Sequence, residues 1–425
     1  MAEFNATVYQ NEFLPDGGTD VNAIVTVTCT GAGSAASDGG ASAGEVIIVD
    51  TSGSMGPSTM AAAKQAASTA VGEILDGVWF AVIAGSDRAM LAYPQVSSGP
   101  GMVRMSPETR AEAQAAVAQF VGSGGTAMST WLDLAGQLFG SVEGITQRHA
   151  ILLTDGENRE DTGKLDAAIA RATGYFQCDC RGAGTDWQVE EVRQISQALL
   201  GTVDIIPTPD QMVEQFREMM QASMARGVAD AQLRVWAPQG AQILFVRQVA
   251  PTVEDLTTRR TEVNPLTGSY PTGAWADESR DYHVAVRVAA KAIGQEQLAA
   301  RVQLAIGDDV LTQALVKATW SGDTELTAKI DQQVAHYTGQ TELAEMIQEG
   351  LAAKAAGDEA TATTKLGRAV QLAAATGNDE ATSKLRKVVD VDNEAEGTVR
   401  LKRSVDKADE MALDTASTKT TRIKK

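Results

Sequence analysis

The chain has 425 residues, too many for one ordinary domain, and 44% of them are hydrophobic, enough to bury sizeable cores. Its 55 acidic residues against 36 Lys and Arg leave a formal charge of −19, which repels phosphate backbones and anionic headgroups and excludes nucleic acid and membrane surfaces as partners of the body. Three cysteines, Cys29, Cys178 and Cys180, make no disulfide framework, and with no signal-peptide pattern and no apolar run near the roughly 20 residues that span a bilayer, a cytoplasmic location is expected.

In chain order, Phe4, Ala6 and Val8, then Val25, Val27 and Cys29, alternate with polar residues, which predicts two half-buried strands within residues 1–30. Two strands alone are marginal in water, so they need a sheet elsewhere in the chain. Residues 31–43 are rich in Gly, Ser and Ala and have the composition of a flexible linker. Residues 44–55 then read GEVIIVDTSGSM. The β-branched run predicts a fully buried parallel strand. It delivers Asp50, Ser52 and Ser54 to its carboxyl end, the edge at which open α/β sheets bind ligands. A carboxylate and two hydroxyls are hard oxygen donors, suited to Mg²⁺ or Mn²⁺.

A helix is predicted over 57–75, with Pro57 in its first turn and an Ala-rich body, followed by a buried strand at 78–84 and a short one at 90–93. Ser106 and Pro107 open the next helix as cap and first position. A glycine-rich loop, 122–126, presents Thr126. Further strands are predicted at 151–154, ending in Asp155, around 176–180 and at 203–206, with intervening helices that include 188–200 and 209–226. Alternation of this kind from 45 to 227 argues a doubly wound parallel sheet. Period two puts Cys178 and Cys180 on one face of their strand. A zinc site there would have to recruit His149, His283 or His336, all far apart in sequence.

Asp50, Ser52 and Ser54 at alternate positions, Thr126 in a glycine-rich loop and Asp155 ending a later strand together resemble the metal-ion-dependent adhesion site of von Willebrand factor type A (VWA) domains. The resemblance covers residues 44–227 and implies a Rossmann-like α/β fold. It also implies that Ser52, Ser54 and Thr126 coordinate Mg²⁺ or Mn²⁺ by hydroxyl, that Asp50 and Asp155 orient metal-bound waters or bind directly, and that one position is left for an Asp or Glu carboxylate of a protein partner. A single metal is expected, because residues 55–58 offer none of the carboxylates that an integrin-like second site would use. Glu157, Glu160 and Asp161 would form an acidic rim. The whole chain looks like bacterial VWA proteins found with stress-response or kinase-signalling systems, which implies an intracellular protein–protein interaction module rather than an enzyme. The competing reading is a metal-dependent hydrolase or phosphatase using Asp50, Ser52 and Asp155. It would need a positioned base, for which His149, on the strand leading to Asp155, is the candidate, and there is no phosphate-binding loop.

After residue 227 the pattern changes to short alternating strands at 231–235, 243–249, 282–288, 302–306 and 310–316, the signature of an antiparallel β-sandwich over 228–322. The strands of 1–30 would complete it, leaving 44–227 as an insertion. Residues 323–390 are helical, with Leu343, Met346, Ile347 and Leu351, then Leu366, Ala369, Val370 and Ala373, at helical spacing; they loosely resemble one tetratricopeptide unit, read here as a small hairpin. Residues 391–425 read as a polar, unstructured tail. Thr415, Thr418, Thr420 and Thr421 are its candidate phosphorylation sites, and Ile423, three positions after Thr420, resembles the spacing read by forkhead-associated domains. A strand pairing of 399–401 with 421–425 is the structural alternative.

Overall fold

The computed structural model describes residues 2–33, 42–95 and 101–423; most of the expected linker, 34–41, lies outside the described residues. The chain forms two compact units, one built from 32–230 and 273–277, the other from 3–31, 231–272 and 278–425. No helix among the described residues is long and apolar enough to cross a membrane.

The chain opens in the second unit with β1 (Glu3–Gln10), β2 (Phe13–Leu14) and β3 (Asp20–Thr30). The first unit follows as β4 (Ala43–Asp50), α1 (Pro57–Glu73), β5 (Trp79–Gly85), β6 (Ala89–Tyr93), β7 (Val103–Arg104), α2 (Pro107–Ala118), α3 (Met128–Gly140), β8 (Gln147–Thr154), α4 (Thr162–Ala172), β9 (Gln177–Ala183), α5 (Val189–Ala198), β10 (Val203–Ile206) and α6 (Met212–Met224). The sheet runs β10-β9-β8-β4-β5-β6, with β7 also on β5. Val46, Ile47, Ile48 and Val49 of the central β4 are wholly buried. Ile47 and Val49 share a core with Ala63 and Ala67 of α1 and Phe216 and Met220 of α6, the small alanines letting α1 close on the sheet. Helix α2 starts where its sequence says: Ser106 Oγ accepts from the Thr109 amide and Thr109 Oγ1 accepts from the Ser106 amide.

The sheet is mixed, which corrects the all-parallel expectation. Strands β4, β5, β8, β9 and β10 are parallel, but β6 and β7 pair antiparallel with β5. Only residues 86–88 join β5 to β6; so short a link makes a hairpin and cannot make the long crossover that a parallel pair requires. The order reverses between β4 and β8, and a crevice outside their carboxyl ends is where such sheets bind ligands.

The second unit continues with β11 (Gln232–Trp236), β12 (Gln242–Ala250), β13 (Glu254–Asp255), β14 (Thr261–Asn264), β15 (Thr267–Pro271), β16 (Glu278–Arg287), β17 (Glu296–Ile306) and β18 (Asp309–Trp320). They form two sheets, β1-β3-β16-β12-β13 and β14-β15-β11-β17-β18-β2. Strand β3 pairs with β16 along its length, Val25 opposite Tyr282, so residues from before and after 32–230 lie in one sheet. The chain then becomes helical: α7 (Thr324–Ala328), α8 (Gln332–Ala355), α9 (Glu359–Thr376) and α10 (Asp379–Val388). Leu343 and Ile347 meet Leu366, Ala369, Val370 and Ala373 in the core between α8 and α9.

Residues 391–425 are not the unstructured tail that their polarity suggested. Strand β19 (Val389–Asn393) pairs with β20 (Thr398–Leu401), and α11 (Lys407–Ala416) follows. Val399 opposes Val391, and residues 421–423 are in no strand; the rest of the alternative pairing with 421–425 falls on 424–425, which lie outside the described residues. Leu413 joins the core with Leu385 and Val399, and Arg400 pairs across the hairpin with Asp392 at 2.8 Å. Average composition concealed a few apolar residues at the right spacing.

Candidate metal centre

Strand β4 ends in Asp50, whose side chain is fully buried. One oxygen accepts from the Ser52 amide at 2.7 Å and the other from Thr154 Oγ1 at 2.7 Å. Burial pushes the Asp50 carboxyl upward, against the pull of its hydrogen bonds from Ser52 and Thr154. The turn set by Asp50 brings Ser52 Oγ to 2.8 Å from Ser54 Oγ, and Ser54 Oγ donates to Asp155 Oδ1 at 2.6 Å. Asp155, following β8, is pushed up to about 6 by burial first and then by the charges of Asp50 and Asp186, against its bond from Ser54.

The glycine-rich loop is stitched to this turn. The Gly53 amide donates to Gly124 O at 2.9 Å and the Ser123 amide to Thr51 O at 2.8 Å. Gly124 has φ +79°, a conformation that disfavours any side chain, and an added Cβ would lie 2.8 Å from Asp87 Oδ1, which would have to move. The loop thus delivers Thr126, nearly buried, to the same place: a Cβ built on Gly156 would lie 2.9 Å from Ser54 Oγ and 3.2 Å from Thr126 Oγ1. Without that atom a small cradle stays open between the hydroxyls.

The donors fit an octahedral Mg²⁺ by a simple test. Metal–oxygen bonds of about 2.0–2.1 Å require adjacent ligand oxygens about 2.9 Å apart. The Ser52, Ser54 and Asp155 oxygens stand 2.6–2.8 Å from their neighbours, so a few tenths of an ångström convert a hydrogen-bonded chain into two adjoining edges of a coordination shell. The set is mainly hydroxyl. Among the described residues no group of three His, Cys, Asp or Glu side chains is placed to hold a metal, which leaves the cysteine reading empty. Cys178 and Cys180 do share a face, with sulfurs 3.8 Å apart, and both are buried.

Several residues near the site had roles that spacing did not reveal. Thr154 holds Asp50, and Gly156 keeps the cradle open. Of the expected acidic rim, Glu160 turns inward and caps α3, accepting from the Ser129 amide at 3.0 Å and Ser129 Oγ at 2.7 Å. Glu157 accepts from Gln188 and lines the concavity beside Ser52, Ser54 and Thr126, together with Arg159 and Asp186.

His149 is not beside the hydroxyls. It lies near the start of β8, six residues and about 20 Å of strand from Asp155, wedged 2.8 Å from Glu45 through Nδ1 and 2.8 Å from Asp179 through Nε2. Burial opposes its charge, but the Glu45 and Asp179 carboxylates outweigh that and lift the imidazole to about 8, with Arg226 pulling back. The tail threonines are also placed differently from expectation. Thr415 is buried and donates to Met411 O at 2.9 Å, Thr418 O accepts from the Val253 amide at 2.8 Å, Thr420 Oγ1 donates to Val249 O at 2.7 Å, and Thr421 Oγ1 accepts from Gln340 at 2.8 Å. The kinase-accessible peptide read from sequence is therefore corrected to a folded segment.

Residues 46–201 match the model of the von Willebrand factor type A domain, and residues 371–417 that of the von Willebrand factor type A C-terminal domain. The second match falls on the helices and hairpin at the end of the chain. Among solved structures, a von Willebrand factor type A protein from Catenulispora acidiphila is 47% identical, with 99% of this chain and 97% of that chain covered and a TM-score of 0.93. The ArnB paralog VWA2 from Sulfolobus acidocaldarius shares the fold over 98% of each chain at 14% identity, with a TM-score of 0.57. An uncharacterized protein of Synechocystis sp., sll0103, is 26% identical over 220 residues, which is 50% of this chain and only half the length of that relative. The chain belongs to the von Willebrand factor type A family.

Proposed function

We propose that the protein is a Mg²⁺- or Mn²⁺-dependent protein-interaction module, in which Ser52, Ser54 and Thr126 hold the cation with Asp50 and Asp155 behind them, and a partner's Asp or Glu carboxylate completes the shell. The observation that carries this reading is the chain from Ser52 Oγ through Ser54 Oγ to Asp155 Oδ1 beneath the open cradle at Gly156. The cation would supply two positive charges where two carboxylates now stand close together. We read the two antiparallel sheets of the second unit as a sandwich that carries the type A domain as an insertion. We assign the module to a bacterial intracellular assembly or signalling complex; the buried thiols of Cys178 and Cys180, 3.8 Å apart, suit a reducing compartment. The hydrolase alternative is disfavoured by His149, which is held between two carboxylates at the opposite end of its strand and offers Ser52 no base.

Thermal melts test the metal reading. For dissociation constants of about 0.1–1 mM, 1 mM Mg²⁺ stabilises by roughly 0.4–1.4 kcal/mol, a shift of about 1–5 °C. Asp50→Ala and Gly156→Ala should both lose that shift, and a shift unchanged in both would overturn the site. Mg²⁺-dependent phosphatase or esterase turnover abolished by Ser52→Ala would favour the enzyme instead.

A further inference from the structure

The concavity over the hydroxyls is lined by charges of both signs. Its lining includes the acidic Glu157 and Asp186 and the basic Arg159. Arg159 is anchored through its backbone, its amide donating to Thr126 O at 2.9 Å. The flanking side chains tie the same turn to the start of α3: Asn158 Oδ1 accepts from the Met128 amide at 3.2 Å, and Glu160 caps at Ser129. The Arg159 side chain itself is exposed. Its guanidinium has no hydrogen-bonding or ionic partner among the described residues, in a chain that carries 55 acidic side chains. A cation held rigidly at its root beside Thr126, left unpaired on an acidic molecule, is an available anchor for a second negative group.

Resting on the metal reading above, we propose that Arg159 is a specificity-determining residue, and that the partner is an extended acidic segment in which one carboxylate takes the metal while a second, two residues away, pairs with Arg159. Period two in an extended peptide puts side chains i and i+2 on the same side, about 7 Å apart, so one segment can address both anchors. Glu157 and Asp186 in the same lining repel the second carboxylate wherever it does not reach Arg159. A metal ligand alone would accept any exposed carboxylate; Arg159 beside it selects a pair.

The test uses the full chain and two blocked pentapeptides, one with acidic residues at its second and fourth positions, the other with the second acid replaced by its amide. In 1 mM Mg²⁺ and low salt, ligand-observed NMR titrations should show the diacid binding the wild type about three- to fivefold tighter than the monoacid, the size of an exposed ion pair, with the ratio shrinking as salt is added. Arg159→Gln should bring the ratio close to one, and Arg159→Glu should invert it. A ratio in Arg159→Gln equal to that of the wild type would overturn the proposal. If neither peptide's binding to the wild type depends on Mg²⁺, the underlying metal reading fails, and that outcome is distinct because it needs no variant to be seen.

Discussion

The two ends of β4 and β8 carry the same kinds of group and finish them differently. At the amino end, Glu45 of β4 meets His149 of β8 at 2.8 Å, and the imidazole passes on to Asp179, which also accepts from the Thr202 amide and hydroxyl at 2.7 Å and stands 3.5 Å from Arg226. Ser223 donates to the other Glu45 oxygen. Two carboxylates are matched there by an imidazolium and a guanidinium, so the charges of the network are balanced. At the carboxyl end, Asp50 and Asp155 meet through hydroxyls and amides alone, so their charge is hydrogen-bonded but not neutralised. A balanced charge network holds a fold together, and an unbalanced one at a crevice is where an ion binds.

The largest expected effect would come from breaking the balanced end. His149→Ala leaves Glu45 and Asp179 buried against each other without the cation between them, and should cost about 3–5 kcal/mol. Denaturant unfolding measures it; a loss below about 1 kcal/mol would mean that the network is not what stabilises that end.

A second effect follows from titration of the same group. Because His149 in the folded protein titrates at about 8, above its ordinary 6.5, its contribution is complete below pH 6.5 and is lost as pH rises through 8. The shift corresponds to about 2 kcal/mol. Unfolding free energies at pH 6 and pH 9 should differ by about that much more in the wild type than in His149→Ala; equal slopes would show that folding leaves the titration of His149 unchanged.

The unbalanced end should behave in the opposite sense. Asp155 titrates at about 6 rather than 3.8, so its ionisation costs stability, and that cost grows as pH rises from 3.8 through 6. With chelator present, Asp155→Asn should therefore stabilise the protein at pH 7 by about 1 kcal/mol, once screening by water at the mouth of the site is allowed for, and by little at pH 4. Thermal melts in chelator check this. Destabilisation at pH 7 would show Asp155 to be a structural partner of Ser54 rather than a charge awaiting a cation.

Much of this was legible along the chain because it is local. The β-branched run of β4, the Ser106 cap, the alternation of strands and helices and the order of Asp50, Ser52, Ser54, Thr126 and Asp155 all depend on residues a few positions apart, where period and side-chain type decide the outcome. What tertiary structure alone decided lies between distant residues. Glu45 finds His149 over a hundred positions away. Glu160, read as rim, becomes a helix cap because the chain returns past α3. The edge strand β6 turns antiparallel because its link to β5 is short. The C-terminal segment folds because Leu413 reaches the pocket formed by Leu385 and Val399. Periodicity states which face a residue presents, but the partner on the other side of that face is set by packing, and a side chain's role as ligand, cap or counter-ion belongs to the pair rather than to the residue.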